Sequence, residues 1–296
     1  MLFNTIMMKI LDGEKVRDFI ASKIKKELIK QGIKPKLVIL RVGTDERSSV
    51  YVKQKKIFGE RLGFEVEYIQ LDNPKGDIEV FENDIISRIE SFNSDRSVNG
   101  IIVQMPLPGN VNSVKIIEAI SPEKDVDGLN SKNLKFLIEG LVSQNKGFVP
   151  ATTKGIISLL DYYKISIEGK KVVMIGRSLL VGRPTALALL NRHATVTICH
   201  TKTKNLKKEA KSADIIVVAI GEPNFINKGF VKKGQVIIDV GITKIGDNLF
   251  GDVDFKKVSG VVKAISPVPG GVGPMTVVSL FDNLLIAYKR QNKNML

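Results

Sequence analysis

A single cysteine, Cys199, stands among 296 residues. It excludes an intramolecular disulfide and points to a reducing compartment. No apolar run reaches the ~20 residues that a membrane span requires. The apolar start, Met1 to Leu11, is short and lacks a signal-peptide cleavage pattern, so the expected location is cytoplasmic, with Met7 or Met8 as an alternative initiator. The only two histidines, His193 and His200, lack ligand spacing, and no metal is expected. Repeats and low-complexity tracts are absent. So are interleaved aromatic platforms and any zinc or helix-turn-helix spacing, which weighs against nucleic acid despite 45 Lys and Arg against 31 Asp and Glu, a formal charge of +14. The lysines (Lys23, Lys25, Lys26, Lys30; Lys202, Lys204, Lys207, Lys208) are scattered as on solvated helix faces. A surface of that sign suits an anionic small molecule, phosphorylated or polyglutamylated.

What is present is alternation. Gly13 to Gln31 carries Val16, Phe19, Ile20, Ile24 and Leu28 at the helical period, Lys36–Val42 reads as a strand, and 47–62 as a helix. A strand at 64–71, a helix at 78–92 and a strand closing at 101–103 follow, then helical patterns at 111–120, 132–139 and 153–163. A second series of strands is expected at 171–175, 194–198, 214–220, 235–240 and 260–265, and a last amphipathic helix at 277–288. The expected fold is α/β: two α/β domains, the second Rossmann-like, with the boundary between Gly147 and Lys170. The first covers 8–150 and is completed by 277–296; the second covers 151–276.

Five stretches carry chemistry. In 169–184 a β-branched strand ends at Gly176, and Gly182 and Pro184 open a helix, a junction that favours an anion. Five residues separate the two glycines, so it is neither G-x-G-x-x-G nor a P-loop, and a plain structural turn stays open. On the helix 47–62, Tyr51, Lys55, Phe58 and Leu62 share one face. Burial there would lower the Lys55 pKa, whereas a lysine snorkelling at the core rim is the plain alternative. Gln104 ends a strand before Met105-Pro106-Leu107-Pro108, and Pro122 to Gly128 forms an acidic turn. The segment 265–276 packs three glycines and three prolines directly before a helix, which fixes an unusual backbone and brings it close to something.

Taken in order, Tyr51-x-x-x-Lys55, VQMPLP at 103–108, DVDG at 125–128, GRS-x-x-VGRP at 176–184 and PVPGGVGPMT at 267–276 resemble the methylenetetrahydrofolate dehydrogenase/cyclohydrolase family of one-carbon metabolism. The match runs from Ile10 to the last helix. The resemblance implies two α/β domains about a cleft. It also implies oxidation of 5,10-methylenetetrahydrofolate by a nicotinamide cofactor, then hydrolysis of the methenyl product to 10-formyltetrahydrofolate, a one-carbon donor for purine biosynthesis. By motif, Lys55 is the catalytic lysine, Tyr51 packs on the folate, Gln104 bonds the lysine and Asp127 holds the pterin. Val103, Met105, Pro269, Gly270, Gly271, Val272, Gly273, Pro274, Met275 and Thr276 complete the substrate site. Gly176, Arg177, Ser178 and Thr201 meet the cofactor phosphates, and Ile242 lies near the nicotinamide. A homodimer is implied too.

Two positions depart from the family pattern. Its Pro-Cys-Thr-Pro reads Pro150-Ala151-Thr152-Thr153, and its His-Ser reads His200-Thr201, which keeps a hydroxyl. With no P-loop and no residues left for one, a formate ligase is not expected. NADP is expected over NAD, because the end of the second strand of the series offers Cys199-His200-Thr201-Lys202 without a carboxylate while Arg177 stands in the first turn. The competing enzyme reading is a single-activity NADP oxidoreductase of shikimate-dehydrogenase-like architecture.

Overall fold

Parallel strand pairing organises the chain in two places. The computed structural model describes residues 8–43, 46–74, 76–144 and 146–292, with the side chains of 46–51 outside the description. In chain order come β1 (Lys9–Ile10), α1 (Gly13–Gln31), β2 (Lys36–Val42), α2 (Glu46–Leu62), β3 (Glu65–Leu71), α3 (Ile78–Ser94) and β4 (Val98–Val103). Then follow α4 (Ser113–Glu118), α5 (Ser131–Ile138), α6 (Ala151–Tyr162), β5 (Lys171–Ile175), α7 (Gly182–Leu190) and β6 (Thr195–Cys199). The chain closes with α8 (Leu206–Ser212), β7 (Ile215–Val218), β8 (Val236–Asp239), β9 (Thr243–Ile245), β10 (Asn248–Phe250), α9 (Phe255–Val258), β11 (Ala264–Ile265) and α10 (Val272–Gln291).

Two compact units result, Ile20–Ala151 with Ser279–Leu296, and Met1–Phe19 with Thr152–Val278. The first is built on a three-stranded parallel sheet in the order β3-β2-β4. Its centre, β2, is apolar almost throughout because both faces are covered. Val38, Leu40 and Val42 pack with Ile85 and Ile89 of α3 and Ile116 of α4. Phe281 of α10 sets its ring 5.9 Å from that of Phe58 and 5.1 Å from that of Phe64. A Cβ on Gly59 would lie 2.4 Å from the Phe281 ring, so only glycine fits beneath it.

The second unit holds a six-stranded sheet, β1-β11-β8-β7-β5-β6, parallel at every junction. Its central strands are buried runs, IIVV throughout and KVVMI from Val172 on. From β5 the chain goes to β6 on one side and returns to β7 on the other. The strand order therefore reverses beside the C-terminal end of β5, where such sheets bind ligands.

Three features differ from the sequence expectation. Residues 8–19 cluster with the six-stranded unit rather than the first domain, because Lys9 and Ile10 pair with Ala264 and Ile265. The last helix begins at Val272, five residues early; Pro274 falls in its first turn, where no N–H is needed. The β9–β10 hairpin was not anticipated, although Gly246-Asp247 marks its turn.

Candidate active site

In the three-stranded unit the apolar stripe of α2 does what its spacing requires. Phe58 and Leu62 are buried, and Lys55, on the same stripe, is half-buried. Its ammonium donates to Gln104 Oε1 at 2.9 Å. Gln104 is placed by the sheet, since its N–H donates to Leu40 O at 2.7 Å just past the end of β4. Its side-chain amide donates to Met105 O at 2.7 Å, which leaves only the oxygen for the lysine. Burial pushes the Lys55 pKa down, and the charge of Asp127 opposes that shift. Burial likewise pushes the Asp127 carboxyl up, opposed by Lys55. The structure thus brings together Lys55, Gln104 and Asp127. Tyr51 is on α2 one turn before Lys55, and its side chain lies outside the described residues. Val103 does not present its side chain, being buried in the core with Val38 and Leu40, whereas Met105 is partly exposed.

Asp127 owes its position to a residue that the sequence reading passed over. Asp125 is 1 % exposed and accepts from the Gly128 N–H (3.0 Å), the Asn130 N–H (2.8 Å) and Asn133 Nδ2 (2.8 Å). Those bonds close the turn around Asp127, and Gly128 supplies the left-handed φ of +74° that the turn needs. A carboxylate two residues before Asp127 in a glycine-ended turn was the available signal. Burial pushes the Asp125 carboxyl up to about 6, against its hydrogen bonds from the Asn130 N–H and Asn133.

In the six-stranded unit, Gly176 follows β5 with φ +121°, and a Cβ there would strike Ala219 O at 2.3 Å. A Cβ on Gly182 would lie 2.5 Å from Gly176 O. The start of α7 is satisfied from within: Ser178 Oγ accepts from the N–H groups of Val181 and Gly182 at 3.2 Å, and Ser178 O from Arg183 N–H at 3.0 Å. The N–H groups of Val181, Gly182 and Arg183 are thus taken up within the junction. The loop 177–180 is exposed, with Arg177 and Ser178 at its start. Ile175 is in register with Cys199, so the turn after β6 lies beside this loop and presents Thr201 and Lys202 to solvent.

The proline-glycine segment belongs to the same unit. Gly13 N–H donates to Gly270 O at 2.8 Å, and a Cβ on Gly13 would sit 1.8 Å from Gly271 O. Gly271, Val272 and Met275 are buried, while Pro269, Gly270, Gly273, Pro274 and Thr276 are accessible. Ile242 is 40 % exposed and adjoins Gly273, where an added Cβ would stand 3.4 Å from Ile242 Cδ1. Thr153, at the family's proline position, is fully buried and shares a 3.0 Å hydrogen bond with the buried Thr185 hydroxyl.

Comparison with known proteins matches two family descriptions. Residues 11–127 match the tetrahydrofolate dehydrogenase/cyclohydrolase catalytic domain, and residues 150–292 its NAD(P)-binding domain. The bifunctional protein FolD of Agathobacter rectalis is 44 % identical over 288 residues, covering 96 % of this chain and all of the relative. The crystal structure of the bifunctional FolD enzyme of Campylobacter jejuni superposes with a TM-score of 0.89 at 40 % identity, covering 98 % of this chain and 100 % of that one. That of Trypanosoma brucei FolD, complexed with NADP and an inhibitor, gives 0.88 at 31 %, covering 96 % and 98 %. Shikimate 5-dehydrogenase of Thermus thermophilus reaches 0.52 at 16 % over 88 % of this chain and 94 % of its own, a likeness of fold alone.

Proposed function

The chain belongs to the tetrahydrofolate dehydrogenase/cyclohydrolase family, and from that premise we infer how its own residues carry the two reactions. It oxidises 5,10-methylenetetrahydrofolate with NADP and hydrolyses the methenyl product to 10-formyltetrahydrofolate. The shikimate-dehydrogenase-like alternative is not favoured. The observation that carries the residue assignment is the Lys55 ammonium held 2.9 Å from Gln104 Oε1, with burial lowering its pKa.

The methenyl product is already a cation, so water adding to its carbon needs a proton acceptor more than an electrophile. A neutral Lys55 amine fills that role, and a nearby cation disfavours the ammonium further. The attacking water gives its proton to Lys55 Nζ. The amine returns it to the ring nitrogen released as the C–N bond opens, and the remaining hydroxyl proton passes to bulk water as the formyl C=O forms. Gln104 holds the amine by accepting one of its N–H bonds, leaving the lone pair free. The half-buried Asp127 carboxylate accepts from the amino-pyrimidine edge of the pterin, and Tyr51 orients the folate ring.

NADP fits the six-stranded unit. The turn where a Cβ on Gly176 would strike backbone sits at the switch point, flanked by exposed Arg177, Ser178 and Thr201. When bound, the cofactor takes the hydride that leaves the methylene carbon. Arg177 and Thr201 suit a 2′-phosphate; Ile242 is read as meeting the nicotinamide, and the accessible residues of 269–276 as substrate contacts. We further read the enzyme as a cytoplasmic homodimer that accepts polyglutamylated folate, in keeping with its charge of +14. One assay tests the whole: methylenetetrahydrofolate with each nicotinamide cofactor, followed by decay of methenyl absorbance. The absence of any rate with that substrate would overturn the function.

A further inference from the structure

Five backbone N–H groups beyond the strand ends of the six-stranded unit converge on two buried carboxylates. Asp239, the last residue of β8, is 3 % exposed, and Asp252, two residues past β10, is fully buried. Asp239 Oδ1 accepts from Gly241 N–H (3.2 Å) and Asp252 N–H (3.0 Å), and its Oδ2 from Val253 N–H (2.9 Å). Asp252 Oδ2 accepts from Ile220 N–H (2.7 Å) and Gly221 N–H (3.2 Å), in the loop after β7. Donors past the end of a strand have no ladder partner and cannot be buried bare. The two side chains supply the missing acceptors and join the loops after β7, β8 and β10.

The packing leaves no slack. A Cβ on Gly241 would lie 2.1 Å from Asp252 Oδ1, and one on Gly251 would lie 2.0 Å from Asp239 Oδ2. Each glycine thus rests on a carboxylate. Gly241 leads directly into Ile242. Asp239 N–H also donates to Ser266 Oγ at 2.8 Å, which ties the start of the 267–276 segment to the same residue.

We infer that Asp239 and Asp252 are positioning residues for hydride transfer, acting through the Gly241 backbone to hold Ile242 at the nicotinamide. The inference rests on the placement of Ile242 proposed above. Amide substitution separates the two residues. Both Asp239 oxygens accept, so Asp239→Asn sets an NH2 group against at least one N–H in either orientation. At Asp252 only Oδ2 accepts, and Oδ1 is buried without a partner. Asp252→Asn can therefore keep its oxygen on the loop and place its NH2 where no donor points.

The test uses the full-length enzyme at pH 8, because burial pushes the Asp239 carboxyl up to about 7. Dehydrogenation is measured with NADP varied, and hydrolysis separately on methenyltetrahydrofolate without cofactor. Asp239→Asn and Asp252→Ala should lower dehydrogenase kcat/KM about 10–100-fold while hydrolysis stays within about twofold. Asp252→Asn should keep both activities within about threefold. Equal loss of both activities, or an unchanged dehydrogenase, would overturn the inference. Should Asp239→Asn not fold, the contrast between Asp252→Ala and Asp252→Asn decides it. An Ile242→Ala variant unchanged in NADP KM and kcat would remove the underlying placement instead. Impairment by Ile242→Ala alone would remove only the positioning role.

Discussion

Burial drives Lys55 and Asp127 toward the neutral pair, lowering the ammonium and raising the carboxyl, while the charge of each resists the other's shift. Removing one partner therefore changes the other's proton affinity as well as its contacts.

Lys55→Met keeps the apolar stem and deletes the base. Hydrolysis of methenyltetrahydrofolate should fall by about 10²–10⁴-fold. Dehydrogenation should suffer less, so methenyl product accumulates and its absorbance persists. Wild-type hydrolysis in this variant would exclude Lys55 as the proton acceptor.

Asp127→Ala tests a ligand contact. The turn is closed by Asp125 rather than Asp127, so the Tm should shift by no more than a few degrees. Folate binding, followed by calorimetry, should collapse. A variant that unfolds, or binds folate normally, would mark Asp127 as structural.

Arg177 is exposed beside a turn without a carboxylate. Arg177→Ala should raise the KM for NADP about 10–100-fold and leave that for NAD nearly unchanged. Equal efficiency of the wild type with the two cofactors would count against a 2′-phosphate contact.

Asp125 gives a pH signature. Its carboxyl is raised from 3.8 to about 6, burial being the main cause. The native state then binds the proton more tightly than the unfolded state. Its contribution to stability is full below about pH 4, declines through pH 6 and is flat above. Urea midpoints of wild type and Asp125→Asn should diverge across that window and run parallel beyond it. Parallel curves throughout would refute the raised value.

Thr153→Val leaves the buried Thr185 hydroxyl without its 3.0 Å partner. The expected cost is about 1–3 kcal/mol in urea unfolding. Adding Thr185→Val should recover part of it, since both hydroxyls are then gone. Additive losses would show that the two hydroxyls are not coupled.

Residues whose placement is fixed by local pattern are legible in the sequence. Lys55 shares a helical stripe with Phe58 and Leu62, and Gln104 stands where an apolar strand stops. What escaped is non-local. β1 and β11 have two residues each, too few for any period. Gly100 interrupts the pattern of β4 because a Cβ there would meet Leu284 at 2.7 Å and Val126 at 2.8 Å. Asp239 and Asp252 look like ordinary turn aspartates until folding gathers five N–H groups around them.

The helix that seats Phe281 against Phe58 and Phe64 has a consequence for synthesis on the ribosome. The chain leaves the three-stranded unit after Ala151 and returns only at Ser279. About 130 residues separate Ala151 from Phe281, roughly 7–26 s of translation at ordinary elongation rates. Through that interval the half made first lacks the ring that closes its core, so the unit that emerges first is completed last. Nascent chains stalled near residue 200 should be cut readily within 20–151, and release of the finished chain should confer protection.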